Sequence, residues 1–268
     1  MTFSFDATTQ PLLGSATGTA QRLHGGDLSD VYLLTLEDGR EVVAKIGPRV
    51  ATEGRMLQAM AQTGAPVPAV LGCNGTTLLI QALPETSGTS QGWASLGNGL
   101  RILHAHTGPH FGWDEDYAFG PVTIANTPSQ DWPAFWAEHR LLAGISDIPA
   151  DLANRLEALC LRLPELLPQT PHASLLHGDL WSGNVLFTEN GAYLIDPACY
   201  YGDGEVDLAM LHLFGSPGSD FSKTYGDLPP GTQERRPIYQ LWPALVHLRL
   251  FGQGYRSLVE RFLAQAGF

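Results

Sequence analysis

The stretch LLHGDLWSGNVLF, from Leu175 to Phe187, places three polar side chains between two short apolar runs. They are His177, Asp179 and Asn184. A plain buried strand has no use for a carboxylate and a carboxamide five residues apart, because each polar group taken out of water needs a hydrogen-bond partner. The stretch therefore indicates a chemical site.

A further oxygen-bearing side chain follows the stretch. Asp196 ends the next apolar run, AYLID, and Asn184 precedes the short predicted strand VLF. A β-hairpin would bring Asn184 and Asp196 together, and Mg²⁺ prefers a few hard oxygen ligands beside substrate phosphates. The two residues are therefore candidate Mg²⁺ ligands, which leaves Asp179 to accept a proton from a hydroxyl group. This arrangement is that of phosphoryl transfer, in which positioning and charge neutralisation supply most of the catalysis.

The segment VYLLTLEDGREVVAKI, residues 31–46, contains two apolar runs around an Asp-Gly turn, which predicts a β-hairpin. Lys45 lies on the second strand and needs an anionic partner. Glu53, in the next predicted helix, supplies one, and the pair matches the strand Lys and helix Glu that hold nucleotide phosphates in kinase-like folds. Alone, such a pair is most typical of an ordinary surface or half-buried ion pair. Together with the three downstream oxygen-bearing residues, in this order, it predicts a nucleotide site.

The pattern along the chain divides it into two parts. A helix capped by Thr52 and a strand over residues 76–83 complete the β-rich first part, and PETSG, residues 84–88, is the best linker candidate. Beyond it the apolar spacing is mostly helical, and the last 30 residues predict two packed helices. The expected fold is α+β, with a small N-terminal nucleotide-binding lobe over residues 1–83 and a larger, mainly helical catalytic lobe over residues 84–268.

The composition excludes several classes of protein. The net charge of -12 comes from 27 acidic and 15 basic residues, whereas a nucleic-acid binder needs a basic face. The three cysteines lie far apart, which argues against a disulfide framework or a cysteine zinc site. The N-terminus lacks the pattern of a secretory signal, and no run approaches the roughly 18 apolar residues of a membrane helix. We expect a cytoplasmic enzyme.

These motifs resemble those of the fructosamine kinase (ketosamine-3-kinase) family over nearly the whole chain, from about Gly14 to the C-terminus. The segments that carry the resemblance are HGDLWSGNVLF, LIDPACYYGDGEVDLAMLHLFG, YQLWPALVHLRLFGQGY, FGWDEDYAFG and DWPAFWAEHRL. The resemblance implies a protein-kinase-like fold of the aminoglycoside-phosphotransferase branch. It also implies ATP-dependent phosphorylation of the sugar 3-hydroxyl of ketosamines, free or on a glycated protein lysine, as a deglycation step.

The resemblance assigns the catalytic roles residue by residue. It implies that Asp179 is the catalytic base and that Asn184 and Asp196 hold Mg²⁺. It implies that Lys45 binds the ATP phosphates, with Glu53 as its ion-pair partner.

Further roles follow from the same resemblance. Gln81, Ala82 and Leu83 match the hinge between the lobes, whose backbone meets adenine. Asp207 matches an acidic residue that braces the catalytic loop. We expect His177 to orient the loop backbone rather than to act as the base.

The loop expected to cover the nucleotide, HGGDLSD, residues 24–30, departs from the pattern G-x-G-x-x-G. Gly25 and Gly26 still permit a close backbone approach to phosphate. Some family members carry a cysteine in this loop, whereas Asp27 and Leu28 stand here, so we expect no redox switch. Asp27 would repel the phosphates unless it points away.

Two side chains are candidates for the acceptor side. Trp181 lies between the base and a metal ligand, where it could stack on a sugar or belong to the core. Asp116, in an acidic stretch, could attract a protonated amine or be part of a solvated turn. His104, His106 and His110 lack the fixed spacing of a metal site, so a helix-end role is predicted for them.

The acceptor is predicted to be small, or a small group on a protein. Only PACYYGDGEV separates Asp196 from Asp207, which leaves no room for the long activation loop of a protein kinase. Two alternatives stay open. One is a phosphotransferase for an aminoglycoside, choline or another small alcohol, and the other is a non-catalytic pseudokinase.

Overall fold

The computed structural model describes residues 5–23 and 29–268. Its N-terminal part consists of α1 (Asp6–Leu13), β1 (Thr17–Arg22), β2 (Asp30–Leu36), β3 (Glu41–Ile46), α2 (Val50–Gln62), β4 (Val70–Cys73) and β5 (Thr77–Gln81). The strands form one antiparallel sheet in the order β1-β2-β3-β5-β4. The predicted hairpin is confirmed, since β2 pairs with β3 and Gly39 turns the chain with a φ of 86°.

Both faces of the sheet are covered, and Lys45 lies on the face that packs against α2. Side chains alternate along a strand, so Val42 and Ala44 join the apolar cluster that also contains Leu34. The side chain of Lys45 points to the opposite face of the sheet, on which α2 packs through Leu57. The sheet therefore presents its one buried lysine to a helix.

Helix α2 begins earlier than its predicted cap. Arg49 occupies the N-cap position, and its carbonyl accepts a hydrogen bond from Glu53 N–H. The prediction of Thr52 as the N-cap is therefore wrong, because Thr52 lies within the first turn and its hydroxyl donates to Glu115 instead. The predicted end of the helix is confirmed, with Gly64 following it at a φ of 86°.

The rest of the chain is mainly helical. Its helices are α3 (Ser90–His104), α4 (Trp132–Trp136), α5 (Ala150–Cys160), α6 (Leu163–Leu166), α7 (Glu205–Leu211), α8 (Ser219–Tyr225), α9 (Thr232–Phe251) and α10 (Arg256–Gln265). A π-helical segment covers Ala137–Leu141, and 3-10 turns cover Ile145–Asp147, Ser182–Asn184 and Gln253–Tyr255. The predicted pair of C-terminal helices is confirmed, because α10 packs on α9. In the described parts of the chain, no helix is both long and apolar enough to cross a membrane.

Three small antiparallel pairs lie among these helices. Their strands are β6 (Tyr117–Phe119), β7 (Val122–Ile124), β8 (Ser174–Leu176), β9 (Val185–Thr188), β10 (Gly191–Leu194) and β11 (Tyr200–Gly202). β6 pairs with β7, β8 with β11, and β9 with β10. The last pair is the hairpin that the sequence predicted beside Asn184.

Strand β10 ends before Asp196, at Leu194, and this corrects the prediction that the strand runs to the aspartate. Asp196 has a φ of 57°, and within residues 5–23 and 29–268 it is the only non-glycine residue with a positive φ. That conformation is incompatible with an extended ladder. Ile195 N–H still donates to the Asn184 carbonyl at 3.1 Å, so the hairpin brings the two predicted metal ligands together.

Candidate active site

The loop after β8 is held from inside the helical part by Asp207 on α7. Its carboxylate accepts hydrogen bonds from His177 N–H (2.7 Å), Gly178 N–H (2.9 Å) and the ring of His104 (3.1 Å). Complete burial alone would raise the pKa of Asp207, but His104 and the backbone donors outweigh it and lower that pKa. The predicted bracing role of Asp207 is confirmed.

His177 fixes the same loop through both nitrogens of its ring. Nε2 donates to Ile195 O at 2.8 Å, and Nδ1 accepts from Asp179 N–H at 3.2 Å. Burial lowers the pKa of His177, which keeps the ring neutral with this pair of roles. Gly178 has a φ of 81°, and a Cβ there would lie 2.0 Å from Ala198 O, so only glycine fits the turn. The structure confirms that His177 orients the backbone.

Asp179 follows this turn and is joined to Asn184. The Asn184 side-chain nitrogen donates to Asp179 O at 2.8 Å and to Asp179 Oδ2 at 3.0 Å. Burial raises the pKa of Asp179 well above its ordinary value, opposed by the Asn184 hydrogen bond and reinforced by Asp196. A carboxylate with a raised pKa is better matched to removing a proton from an alcohol.

Lys45 connects the sheet to this loop region. Its Nζ donates to Glu53 Oε1 at 2.5 Å and to Asp196 Oδ1 at 2.6 Å. Burial alone would lower the pKa of Lys45, but attraction to Glu53 and then to Asp196 outweighs burial and raises it. The predicted Lys45–Glu53 ion pair is present, and the contact with Asp196 was not predicted.

The oxygens of Asn184 and Asp196 fit the requirements of Mg²⁺. Because the Asn184 nitrogen is engaged by Asp179, its Oδ1 is left for a ligand, and Asp196 keeps one oxygen beyond its contact with Lys45. Across residues 5–23 and 29–268, no group of three His, Cys, Asp or Glu side chains could hold a metal. An ion here would complete its shell with phosphate and water oxygens, as Mg²⁺ commonly does.

These groups line one cleft of about 720 Å³ between the sheet and the helical part. Lys45, Glu53, Asp179, Asn184 and Asp196 all contribute to its wall. The five residues, which are separated along the sequence, therefore belong to a single site.

The two predicted acceptor residues lie in different places. Trp181 lines the cleft, and 39 % of it is exposed, so it is not a core side chain. Asp116 is exposed and is not among the described residues that line the cleft. Its carboxylate accepts a hydrogen bond from Asn126 N–H at 2.8 Å, which joins the residue before β6 to the segment after β7.

The predicted nucleotide-contacting backbone lies at the end of β5, an inner strand of the sheet. Gln81 ends β5, and its side-chain oxygen accepts from Ala69 N–H at 3.3 Å. Ala82 and Leu83 follow without regular structure and lead towards α3. The loop predicted to cover the phosphates, with Gly25, Gly26, Asp27 and Leu28, lies outside the described residues, apart from its last two positions.

Sequence reasoning missed two contributors to the cleft. Arg49 is exposed at the N-cap of α2 and lines the cleft near Lys45. Its signal was its position, a basic residue just before the helix that carries Glu53. One side of α9 also lines the cleft, through Tyr239 and residues spaced four apart after it. The aromatic residues of that segment were predicted to pack in helices and also carried part of the family resemblance, but no role in the site was predicted for them.

The site pairs a strand lysine with a helix glutamate, and the two face a loop aspartate and two further oxygen-bearing side chains. This arrangement defines a two-lobed, protein-kinase-like phosphotransferase. Comparison with known proteins agrees. A family model for fructosamine kinase matches residues 5–266, and a curated "probable ketoamine kinase" from Synechocystis is 36 % identical over 229 residues, or 78 % of this chain and 75 % of the relative. The chain belongs to the fructosamine kinase family and is an ATP-dependent phosphotransferase with an alcohol acceptor.

Solved structures confirm the predicted fold class. A crystal structure described as a "putative fructosamine-3-kinase" from Thermobifida fusca has a TM-score of 0.90 with 31 % identity, covering 97 % of both chains. A choline/ethanolamine kinase family protein from Mesorhizobium loti has a TM-score of 0.63 with 18 % identity, covering 98 % of this chain and 91 % of that one. The second likeness concerns the fold alone.

Proposed function

We propose that the protein transfers the terminal phosphoryl group of ATP to the sugar 3-hydroxyl of a ketosamine, either free or on a glycated lysine, and so begins deglycation. The observation that carries the proposal is the meeting of Lys45, Asp179, Asn184 and Asp196 in one cleft. Membership of the fructosamine kinase family supports the acceptor class.

In this proposal Asp179 holds the acceptor hydroxyl and accepts its proton. The hydrogen bonds from Asn184 fix the carboxylate, and the His177 ring fixes its backbone. The fixed carboxylate therefore holds the acceptor hydroxyl oxygen towards the phosphorus without a search through side-chain rotamers. Such positioning supplies much of the catalysis in phosphoryl transfer.

The other charged residues hold the nucleotide. Lys45, kept in place by Glu53, binds the phosphates, while Gln81, Ala82 and Leu83 form the hinge at adenine. Mg²⁺ held by Asn184 Oδ1 and Asp196 would neutralise phosphate charge when bound with ATP. The proposal also assigns Gly25 and Gly26, which lie outside the described residues, to the loop over the phosphates. Residues 1–83 and 84–268 then act as the nucleotide-binding and catalytic lobes.

The acceptor residues complete the site. A ketosamine offers a polyhydroxylated sugar and a protonated amine, and the exposed Trp181 ring provides stacking and cation–π attraction for both. We keep Asp116 as a candidate partner of the amine, reached from the rim of the cleft rather than from its wall.

A substrate screen tests the proposal. ADP release should depend on a fructosyl- or ribulosyl-amine and should be weak or absent with choline, an aminoglycoside or a neutral sugar. Phosphorus NMR of the product should place the phosphate on the sugar 3-oxygen. Rapid turnover of an aminoglycoside with none of any ketosamine would assign the protein to another acceptor class.

The Lys45–Glu53 pair gives a first variant test. Lys45→Met should impair the use of ATP severely, and Glu53→Ala less so, because Glu53 acts by positioning the lysine. The double variant should resemble Lys45→Met alone, since residues that act as a unit are not additive. Steady-state kinetics with varied ATP measures all three variants.

A matched ion pair serves as the control for that cycle. Arg162 and Glu165 form an exposed pair in the helical part, with side chains 54 % and 64 % exposed. Removing either charge should leave ATP kinetics unchanged, because exposed pairs contribute little. Additive losses at Lys45 and Glu53 would argue against a working pair.

The role of Trp181 gives a second variant test. Trp181→Ala should raise KM for the ketosamine by about tenfold, the scale of one lost stacking or cation–π contact, and should leave KM for ATP nearly unchanged. Trp181→Phe should retain most of the affinity because it keeps an aromatic face. Equal increases in both KM values would indicate that Trp181 supports the cleft as a whole rather than the acceptor.

A further inference from the structure

Beyond the catalytic base, the cleft continues along a row of aromatic rings. The Trp181 ring meets Phe214 edge to face, with 6.5 Å between centroids. Phe214 lies 5.2 Å from the ring of His247, which in turn lies 5.5 Å from Phe251 and 5.0 Å from Tyr255. All five side chains line the cleft. We call these five rings the aromatic wall.

The wall leaves a large apolar area open to solvent. Phe214 is 50 % exposed and Phe251 is 55 % exposed, beside the 39 % exposure of Trp181. Exposed apolar side chains that stand singly need no explanation, whereas a contiguous patch in a cleft marks a binding surface. The patch is also continuous with the site of phosphoryl transfer, which makes it part of the acceptor side.

Part of the wall stands on regular structure, because His247 and Phe251 belong to α9 and Tyr255 to the 3-10 turn after it, whereas Trp181 and Phe214 lie in loops. Helix α9 presents Tyr239, Pro243, His247 and Phe251 along one row at a spacing of four residues. The His247 ring is fixed because Nδ1 donates to Pro243 O at 2.7 Å. The part of the surface on α9 is therefore preformed, and a ligand would lose little free energy in ordering it.

The ionic side chains of the cleft lie away from the aromatic wall, and this limits what the wall can bind. The ionic side chains of the described cleft lining are Lys45, Arg49, Glu53, Asp179 and Asp196, and all belong to the nucleotide and catalytic end. Along the aromatic wall, the only titratable group apart from tyrosine is the imidazole of His247. An anionic group placed there would lose water without gaining a fixed cationic partner, and the cation–π attraction of Trp181 is already assigned to the substrate amine. The remaining rings of the wall therefore favour an apolar occupant.

We propose that the aromatic wall binds the substituent on the amine nitrogen of the substrate, and that the preferred ketosamines carry an aromatic or branched apolar group there. The inference rests on the proposed function, because it places the sugar at Asp179 and Trp181. The amine lies on the sugar carbon two positions from the 3-hydroxyl, so its substituent extends past the sugar. A cleft of about 720 Å³ has room for both parts.

The test compares ketosamines that share one sugar and differ in the amine. The fructosamine of benzylamine should have a kcat/KM at least about tenfold above that of methylamine, because a buried phenyl ring gains this order of binding. The fructosamine of 4-carboxybenzylamine should lose that advantage, since its carboxylate would be desolvated at the wall. The preference should appear mainly in KM.

Two variants connect the preference to the wall. Phe214→Ala and Phe251→Ala should each reduce the benzyl-over-methyl ratio severalfold, and the double variant should bring it near one. Leu161→Ala removes a side chain that is 83 % exposed and is not part of the described cleft lining, so it should leave the ratio unchanged. Thermal melts and KM for ATP check that each variant remains folded.

The possible outcomes distinguish a failure of the role of the aromatic wall from a failure of the proposed function. Robust turnover of both fructosamines with equal kcat/KM overturns the role of the wall and leaves the proposed function standing. A benzyl preference that survives in the double variant also overturns it. No turnover of any fructosamine, with turnover of a different alcohol, overturns the proposed function and the inference together.

Discussion

An Asp179→Asn variant should fold normally, bind ATP with almost unchanged affinity and lose turnover by at least about 10²–10⁴-fold, the usual contribution of a positioned general base. The carboxamide keeps the shape of the carboxylate but cannot accept the proton of the acceptor hydroxyl. Its single oxygen can still accept the hydrogen bond from Asn184, so the local structure is kept. Single-turnover kinetics with saturating ATP and ketosamine measure the loss in the chemical step.

The matched control removes a negative charge elsewhere. Asp227→Asn makes the same chemical change at an exposed position after α8 and should leave kcat and both KM values at the wild-type level. Titration with a fluorescent ATP analogue checks that the Asp179 variant still binds nucleotide. Turnover close to the wild-type rate in Asp179→Asn would mean that another group accepts the proton.

Local sequence signals predicted the elements that place the site. Asp38-Gly39 predicted the hairpin that carries Lys45, because glycine accepts the positive φ of the turn. The short apolar runs around Asn184 predicted the second hairpin. Both depend on residues close in sequence, where turn chemistry decides the structure before any long-range packing. The Lys45–Glu53 pair follows from a strand and helix that are neighbours along the chain.

Contacts between distant parts of the chain could not be predicted in the same way. Lys45 meets Asp196 across 151 positions, and His104 meets Asp207 across 103 positions. Neither pair has a local pattern, because each depends on how the sheet and the helices pack. His104 was expected at a helix end, which is its position, but its hydrogen bond to Asp207 appears only in three dimensions.

Helical periodicity also does not show what surrounds the apolar face of a helix. The last 30 residues, which include part of α9, were predicted only as two packed helices, because apolar residues on one helical face are usually buried. In the structure, Trp242 is buried while Phe251, further along the same helix, is more than half exposed in the cleft. The pattern identifies an apolar face but does not show whether protein or ligand covers it. The same applies to Asp116, because its acidic sequence context did not show whether its carboxylate lines the cleft.

Asp196→Ala should abolish turnover, because it removes the anionic oxygen from the predicted Mg²⁺ site and one of the two partners of Lys45. The fold should survive, since Lys45 keeps the buried Glu53 as its counter-charge. Alanine is unfavourable at a φ of 57°, at a cost of about 1–2 kcal/mol. Asp196→Asn avoids that cost, because asparagine tolerates this conformation, and it isolates the loss of charge. Thermal melts and turnover are measured for both variants.

The metal dependence gives the same prediction an independent check. Wild-type activity should vanish in EDTA and return with Mg²⁺ or Mn²⁺. Asn184→Ala removes a neutral ligand, so added Mg²⁺ should restore part of its activity, whereas no concentration should restore Asp196→Ala. The difference follows from charge, because a carboxylate attracts the ion more strongly than an amide oxygen does. Full activity of the wild type in chelator, or of Asp196→Asn at ordinary Mg²⁺, would exclude Asp196 as an essential metal ligand.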